Sequence, residues 1–124
     1  MSKKINILHV DDSNTIKLYI KILLMEVPVI KAIESADTIA QAKEMLAKNE
    51  TDVVILDINL PDGSGLELLE WIRKNRPVLK VIMFSNNSDQ FFRSAAQKAG
   101  ADHFLDKSME FEDLIKTLKK IQTK

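Results

Sequence analysis

Residues 53–67 read Val53-Val54-Ile55-Leu56-Asp57-Ile58-Asn59-Leu60-Pro61-Asp62-Gly63-Ser64-Gly65-Leu66-Glu67. The run Val53–Leu56 is unbroken and built of branched apolar side chains. No polar residue alternates with them, so neither face of such a strand meets water, which is the pattern of a parallel sheet covered on both sides. The run stops at Asp57, and Pro61 and Gly63 mark a turn beyond it. Ser64 and Glu67 have the spacing of a capping box, which opens a helix running to about Asn75.

The same unit of strand, turn and helix recurs on both sides. Towards the N-terminus, Ile5–Val10 is a short apolar run ended by Asp11 and Asp12, and residues 14–24 place Ile16, Ile20, Leu23 and Leu24 at helical spacing. Residues 29–34 are a weaker strand, followed by an Ala-rich helix over 37–48 with Ile39, Ala42 and Leu46 on one face. Towards the C-terminus, residues 79–84 form another buried-type strand, and 88–99 a helix that Gly100 can end in a left-handed turn. Residues 101–105 are a fifth, short strand. Ser108 can cap a last helix whose stripe is Phe111, Leu114, Ile115, Leu118 and Ile121. Acids (Glu110, Glu112, Asp113) crowd its start and lysines (Lys116, Lys119, Lys120, Lys124) its end, which complements the helix dipole.

Strand then helix, five times over, predicts an α/β domain: a parallel sheet with helices on both faces. Composition agrees. A chain of 124 residues, 45% of them apolar, is long enough for one domain with a real core. Its 18 Lys and Arg balance 18 Asp and Glu, which argues against a basic nucleic-acid binder or a polycationic membrane clamp. A charged fraction of 29% without net charge is not the profile of a disordered chain. Without cysteine there are no disulfides, no thiol catalysis and no thiolate metal sites. The start, Met1-Ser2-Lys3-Lys4 and a short apolar run, is no signal peptide, and no apolar stretch approaches the roughly 20 residues that span a bilayer. The expectation is a cytoplasmic protein with one domain over residues 1–124, no linker or repeat, and no output domain.

In doubly wound sheets, ligands bind outside the carboxyl ends of the strands. Asp11 and Asp12 follow the first strand, Asp57 the third and Ser85 the fourth, and Lys107 lies just beyond the fifth. Each has a structural explanation by itself: a solvated turn or cap for the acid pair, a turn cap for Asp57 and Ser85, a surface position for Lys107. Together they place three carboxylates, a hydroxyl and an ammonium at one sheet edge. Clustered carboxylates repel and need a cation. Oxygen ligands in low number suit Mg²⁺, which keeps several waters and binds through one or two carboxylates plus a phosphate. Asp57 as nucleophile would form an aspartyl phosphate, with the metal and Lys107 offsetting charge on the transferring group.

The set Asp11-Asp12, Asp57 to Gly65, Ser85 and Lys107 resembles the receiver domain of response regulators, and in particular the stand-alone chemotaxis-type receivers, over essentially residues 5–121. The resemblance implies a (βα)5 flavodoxin-like fold, strand order 2-1-3-4-5. It implies a signalling switch of a two-component system, in which Asp57 accepts phosphate from a phosphohistidine on a sensor histidine kinase or phosphotransfer protein. Asp12, Asp57 and the backbone carbonyl of Asn59 would bind Mg²⁺, with Asp11 assisting through water. Lys107 would contact the phosphoryl group and Asp57. Ser85 would hydrogen-bond a phosphoryl oxygen and draw its loop inward, and Phe104 would turn in behind it. The face of the fourth helix, fifth strand and fifth helix would change and alter binding to a protein target, an equilibrium biased by a local charge change. Asn59 and Asn87 occupy positions that tune dephosphorylation. The protein would catalyse only its own phosphorylation and dephosphorylation, bind no nucleic acid directly, insert into no membrane, and be a monomer or a weak phosphorylation-dependent dimer.

Three positions depart from the family pattern. Ser108 replaces the Pro that usually follows the lysine with a cis bond, and such a bond before a non-proline residue costs about 2.5–4 kcal/mol; either the site bears that or the loop runs differently. Phe104 has aromatic bulk but no hydroxyl, and Asn86 stands where a small residue is usual. Elsewhere His9 reads as structural, and His103 and Trp71 as surface or packing residues. Phe91 and Phe92 point in different directions on a helix, so that one can face the core and the other solvent, although both can be buried at a helix edge. Two other functions compete: a pseudo-receiver that binds partners without taking phosphate, and a Mg²⁺-dependent phosphatase with Asp57 as nucleophile. The phosphatase ranks last, because the second Asp of its usual D-x-D is Asn59 here, which cannot act as an acid.

Overall fold

The computed structural model describes residues 4–87, 89–108 and 111–122. Counting the strands of the main sheet, β1 (Ile5–Val10), β2 (Ile30–Ala36), β3 (Val53–Leu56), β4 (Lys80–Ser85) and β5 (His103–Asp106) lie in the order β2-β1-β3-β4-β5. Every pairing in it is parallel. The helices are α1 (Asn14–Met25), α2 (Ile39–Lys48), α3 (Gly65–Asn75), α4 (Gln90–Ala99) and α5 (Phe111–Gln122).

The sheet separates two apolar layers, and β3 feeds both. Val53 and Ile55 pack with Ile20 and Leu24 of α1 and Leu114 and Leu118 of α5. Val54 and Leu56 pack with Ala42 and Leu46 of α2, Leu68, Leu69 and Ile72 of α3, and Ala96 of α4. Successive side chains of one strand thus enter opposite layers, which is why this segment carries no polar residue. Each such side chain, fully buried, is worth about 1.5–3 kcal/mol of transfer free energy.

Side chains at the helix starts hold the otherwise unpaired first N–H groups. The Ser13 hydroxyl accepts from Ile16 N (3.3 Å) and the Thr38 hydroxyl from Gln41 N (3.0 Å). The capping box of α3 is formed in full: Ser64 Oγ accepts from Leu66 N (3.1 Å), and Glu67 Oε1 accepts from Ser64 N (2.9 Å). Gly100, at φ 102°, ends α4 in the left-handed region.

The structure moves several boundaries. Helix α2 begins at Ile39, since Thr38 is its cap, and β2 continues to Ala36. Ser85 is the last residue of β4 and not the first after it. Helix α4 begins at Gln90, capped by Asp89, and Ser88 lies outside the described residues. Strand β5 begins at His103. The Ser108 hydroxyl donates to Asp106 Oδ1 (2.6 Å), and its expected role as the cap of α5 turns on residues 109 and 110, which lie outside the described residues. Glu110 and Lys124 lie outside the described residues. An antiparallel pairing of Asn59–Leu60 with Gly63–Ser64 adds a small hairpin between β3 and α3.

Candidate functional site

The sheet's hydrogen bonding runs one residue past the ends of the strands and sets the site residues side by side. Asp11 N donates to Ala36 O, Asp57 N to Val10 O, and Lys107 N to Ser85 O, each at 3.0 Å. The side chains that follow β1, β3 and β5 are thereby held at the carboxyl edge, with Ser85 at the end of β4 between them.

There Lys107 Nζ donates to Asp11 Oδ2 (2.6 Å) and to Asp57 Oδ2 (2.8 Å). All three residues are buried, with exposures of 0% for Asp11, 8% for Asp57 and 6% for Lys107. The remaining oxygens are held by backbone: Asp11 Oδ1 accepts from Ser13 N (2.8 Å) and Asp57 Oδ1 from Ile58 N (2.7 Å). Burial alone would lower the Lys107 pKa, but its hydrogen bonds to Asp11 and Asp57 outweigh that and raise it above the ordinary value. The lysine is therefore a fixed positive charge.

Asp12 is exposed at the mouth. One carboxylate oxygen from each of Asp11, Asp12 and Asp57 can be chosen so that all lie within 4.8 Å of one another. Three carboxylates against one ammonium leave two negative charges in excess. His9 does not offset them. Its Nε2 is 3.8 Å from Asp11 Oδ2, but burial first, and then the Lys107 ammonium, push its pKa down to about 3. It is a neutral core residue, in keeping with its structural reading, and its Nδ1 has no hydrogen-bond partner among the described residues. An all-oxygen donor set with surplus negative charge suits a hard divalent cation such as Mg²⁺.

The loop after β3 is pinned at two points. Gly65 N donates to Ile58 O (2.6 Å), and a Cβ on Gly65 would sit 1.9 Å from the Asp57 carbonyl oxygen. The start of α3 thus packs directly on the backbone that carries Asp57. Asp62 reaches across the chain to cap α2, accepting from Ile39 N (2.8 Å) and Ala40 N (3.1 Å).

Ser85 is buried, and its Oγ accepts from Asn87 N (3.1 Å). The structure contains no cis peptide among the described residues, so Lys107–Ser108 is trans. Asp106 Oδ1 accepts from both the backbone N (2.8 Å) and the hydroxyl of Ser108. The loop runs differently from the cis-proline pattern and still delivers Lys107 to the acids. Asn59 is exposed in the hairpin. Phe104 is half-buried against the α2–α4 layer. Phe91 is 72% exposed while Phe92 packs on that layer, so the adjacent pair divides between solvent and core. Trp71 packs on the same layer, beneath Lys43 Nζ at 5.4 Å, and His103 is exposed.

Sequence reasoning does not single out Asp62, which reads as a turn residue, or Arg93, which reads as part of a solvated helix face. Arg93 Nη1 donates to Phe104 O (3.2 Å), and its guanidinium carbon stands 5.0 Å from the Phe104 ring centre.

Comparison with known proteins agrees with this geometry. The family model for the response regulator receiver domain matches residues 7–119. The nitrate/nitrite response regulator NarL of Escherichia coli is 33% identical over 112 residues, covering 90% of this chain and 52% of that protein. The chain thus spans about half the length of that curated relative. Among solved structures, a CheY-like response regulator receiver domain from Methanospirillum hungatei superposes with a TM-score of 0.85 at 32% identity, covering 96% of this chain and 93% of that one. The BeF3-activated DrrB receiver domain gives 0.85 at 26% identity, covering 98% and 99%.

Proposed function

Because the chain belongs to the response regulator receiver family, we propose that it is a phosphorylatable switch that takes a phosphoryl group on Asp57 from the phosphohistidine of a sensor histidine kinase or phosphotransfer protein. The observation that carries this reading is the Lys107 ammonium shared between Asp11 and Asp57 at 2.6 and 2.8 Å, with the Asp12 carboxylate beside it.

The residues divide the work. A carboxylate oxygen of Asp57 forms the new P–O bond as the P–N bond of the donor breaks and its electron pair returns to the imidazole. Backbone hydrogen bonds hold Asp57 and Lys107 in place before the donor arrives, so little reorganisation is needed. Lys107, already bonded to Asp57, is placed to bond the phosphoryl group once it is attached. Asp12, Asp57 and the Asn59 carbonyl would hold Mg²⁺, with Asp11 behind them; when bound, the ion supplies positive charge to the phosphoryl oxygens. Ser85, whose Oγ accepts from Asn87 N, donates its hydroxyl hydrogen to a phosphoryl oxygen, and that reach draws the loop after β4 inward. Phe104 then turns inward, and the face of α4, β5 and α5 presents a new surface to a protein target. The chain turns over its own phosphoryl group and no external substrate, and it acts in the cytoplasm.

The test is incubation with Mg²⁺ and either acetyl phosphate or a phosphohistidine donor, read by intact mass. A gain of one phosphoryl group that Asp57→Ala abolishes is the expected result. No gain from either donor overturns the proposal in favour of a pseudo-receiver, and sustained turnover of unrelated phosphate esters overturns it in favour of a phosphatase.

A further inference from the structure

We propose that Arg93 is a latch on Phe104: it holds the ring in its resting position and so sets how often the unphosphorylated protein visits the active arrangement. This rests on the phosphoryl-switch reading above.

Arg93 touches the same residue in two ways. Its Nη1 donates to the backbone carbonyl of Phe104 at 3.2 Å, and its guanidinium carbon lies 5.0 Å from the centre of the Phe104 ring. The two contacts have different fates when the ring moves. The carbonyl belongs to β5, which is paired with β4 through Met83 and Phe104, so the hydrogen bond fixes the guanidinium to the sheet. The ring can rotate about its side-chain torsions while that anchor stays. An inward turn of Phe104 towards Ser85 therefore takes the ring away from a stationary cation. Of these two contacts only the one to the ring differs between the arrangements, and a contact shifts an equilibrium only through such a difference.

The ring itself offers no polar resistance to the turn. Phe104 carries no hydroxyl, so its ring has no hydrogen bond to break; it is held by packing on the α2–α4 layer and by the cation. A groove of about 320 Å³ opens beside the pair, lined by Arg93, Gln97, Ala101, Asp102, His103 and Phe104. The guanidinium thus occupies the rim of the face expected to change on phosphorylation. A cation–π contact of this exposure biases an equilibrium by about 2- to 5-fold.

The experiment uses the full chain carrying 4-fluorophenylalanine. The Phe104 fluorine resonance is identified by its loss in Phe104→Leu, then followed with and without acetyl phosphate and Mg²⁺. In Arg93→Leu the resting resonance is expected to move part of the way along the line joining the wild-type resting and phosphorylated positions. The acetyl-phosphate phosphorylation rate should rise about 2- to 5-fold, because more of the protein is in the competent state. Arg93→Lys keeps a cation but loses the planar fork, and should fall between wild type and Arg93→Leu. A purely structural role would change thermal stability without moving the resonance along that line. If Phe104 moves on phosphorylation of the wild type but both variants keep the wild-type resting resonance and rate, the latch is overturned and the switch stands. If the wild type takes phosphate and Phe104 does not move, the latch is again overturned, with Asp57 still the acceptor. If no phosphoryl group is gained, the switch reading fails and the latch with it.

Discussion

Replacing Asp12 by Asn should stabilise the metal-free protein and destabilise it relative to wild type once Mg²⁺ is added. The magnitude comes from the site. Carboxylate oxygens of Asp11, Asp12 and Asp57 lie within 4.8 Å of one another. At that separation two unit charges repel by about 3.5 kcal/mol at an effective dielectric of 20 and about 0.9 kcal/mol in water. Asp12 is exposed while its neighbours are buried, so the interaction falls between these limits, nearer the lower. Two repulsions, from Asp11 and Asp57, against one attraction, to Lys107, leave about one such interaction, or about 1–2 kcal/mol. The place of Asp12 just before the N-terminus of α1 returns about 0.5 kcal/mol of that. Asp12→Asn is therefore expected to gain about 1 kcal/mol in urea unfolding with chelator present, and the gain should shrink in about 1 M salt, where the screening length is about 3 Å. With Mg²⁺ at ten times its dissociation constant, wild type gains about 1.4 kcal/mol by mass action. The variant has lost one ligand and gains little, so the order of stability inverts. A variant less stable than wild type in chelator, or equal stabilisation of both by Mg²⁺, would refute the charge argument.

Lys107→Met leaves two buried carboxylates facing each other without a cation and should cost about 3–5 kcal/mol in urea unfolding; a loss under about 1 kcal/mol would mean that the ion pairs contribute little. Gly65→Ala drives a methyl group onto the Asp57 carbonyl, 1.9 Å away, and should cost at least about 1–3 kcal/mol and slow phosphoryl uptake at Asp57; wild-type stability and rate would show that the close approach is unimportant. Asp62 gives a pH dependence. Its bond from Ile39 N, chief among the causes, lowers its pKa below the ordinary 3.8. The stabilisation is therefore complete above pH 3.8 and is lost as the pH falls through the lower folded value. Asp62→Asn should flatten that acid-side decline in unfolding midpoints as the pH is lowered from neutrality, and parallel curves would sink the assignment.

The fold is legible in the sequence because β3 has no polar face. Four apolar residues in a row require cover on both sides, and Val53 and Val54 do enter opposite layers. The strand order is not legible from periodicity; it comes with the family resemblance, since pairing order depends on contacts far apart in the chain. At the site, position after a strand is enough to mark Asp57, Lys107 and the acid pair. Which member of that pair is buried is not readable. Asp11 and Asp12 are adjacent and chemically identical, and only the last turn of the backbone out of β1 sends Asp11 inward to Lys107 and leaves Asp12 in water. The start of α4 shows why boundaries shift. Ser88 and Asp89 are both good cap types, and the cap is Asp89, a choice made by loop geometry. Asp62 and Arg93 escape a reading of the sequence because their partners lie 23 and 11 residues away on other elements, where no local pattern reaches.

The triad at the sheet edge also carries a record of assembly. Lys107 bonds one acid 96 residues earlier and another 50 residues earlier. In a chain growing from its N-terminus, Asp11 and Asp57 emerge long before the ammonium that reconciles them. A nascent chain stopped short of residue 107 has its acids but not their counter-charge. Contacts so distant in sequence carry a loop-closure cost before they are rewarded, which slows folding. The full set of charges at the sheet edge is therefore assembled only when β1, β3, β4 and β5 are all in register, so the site is among the last features of the molecule to be completed.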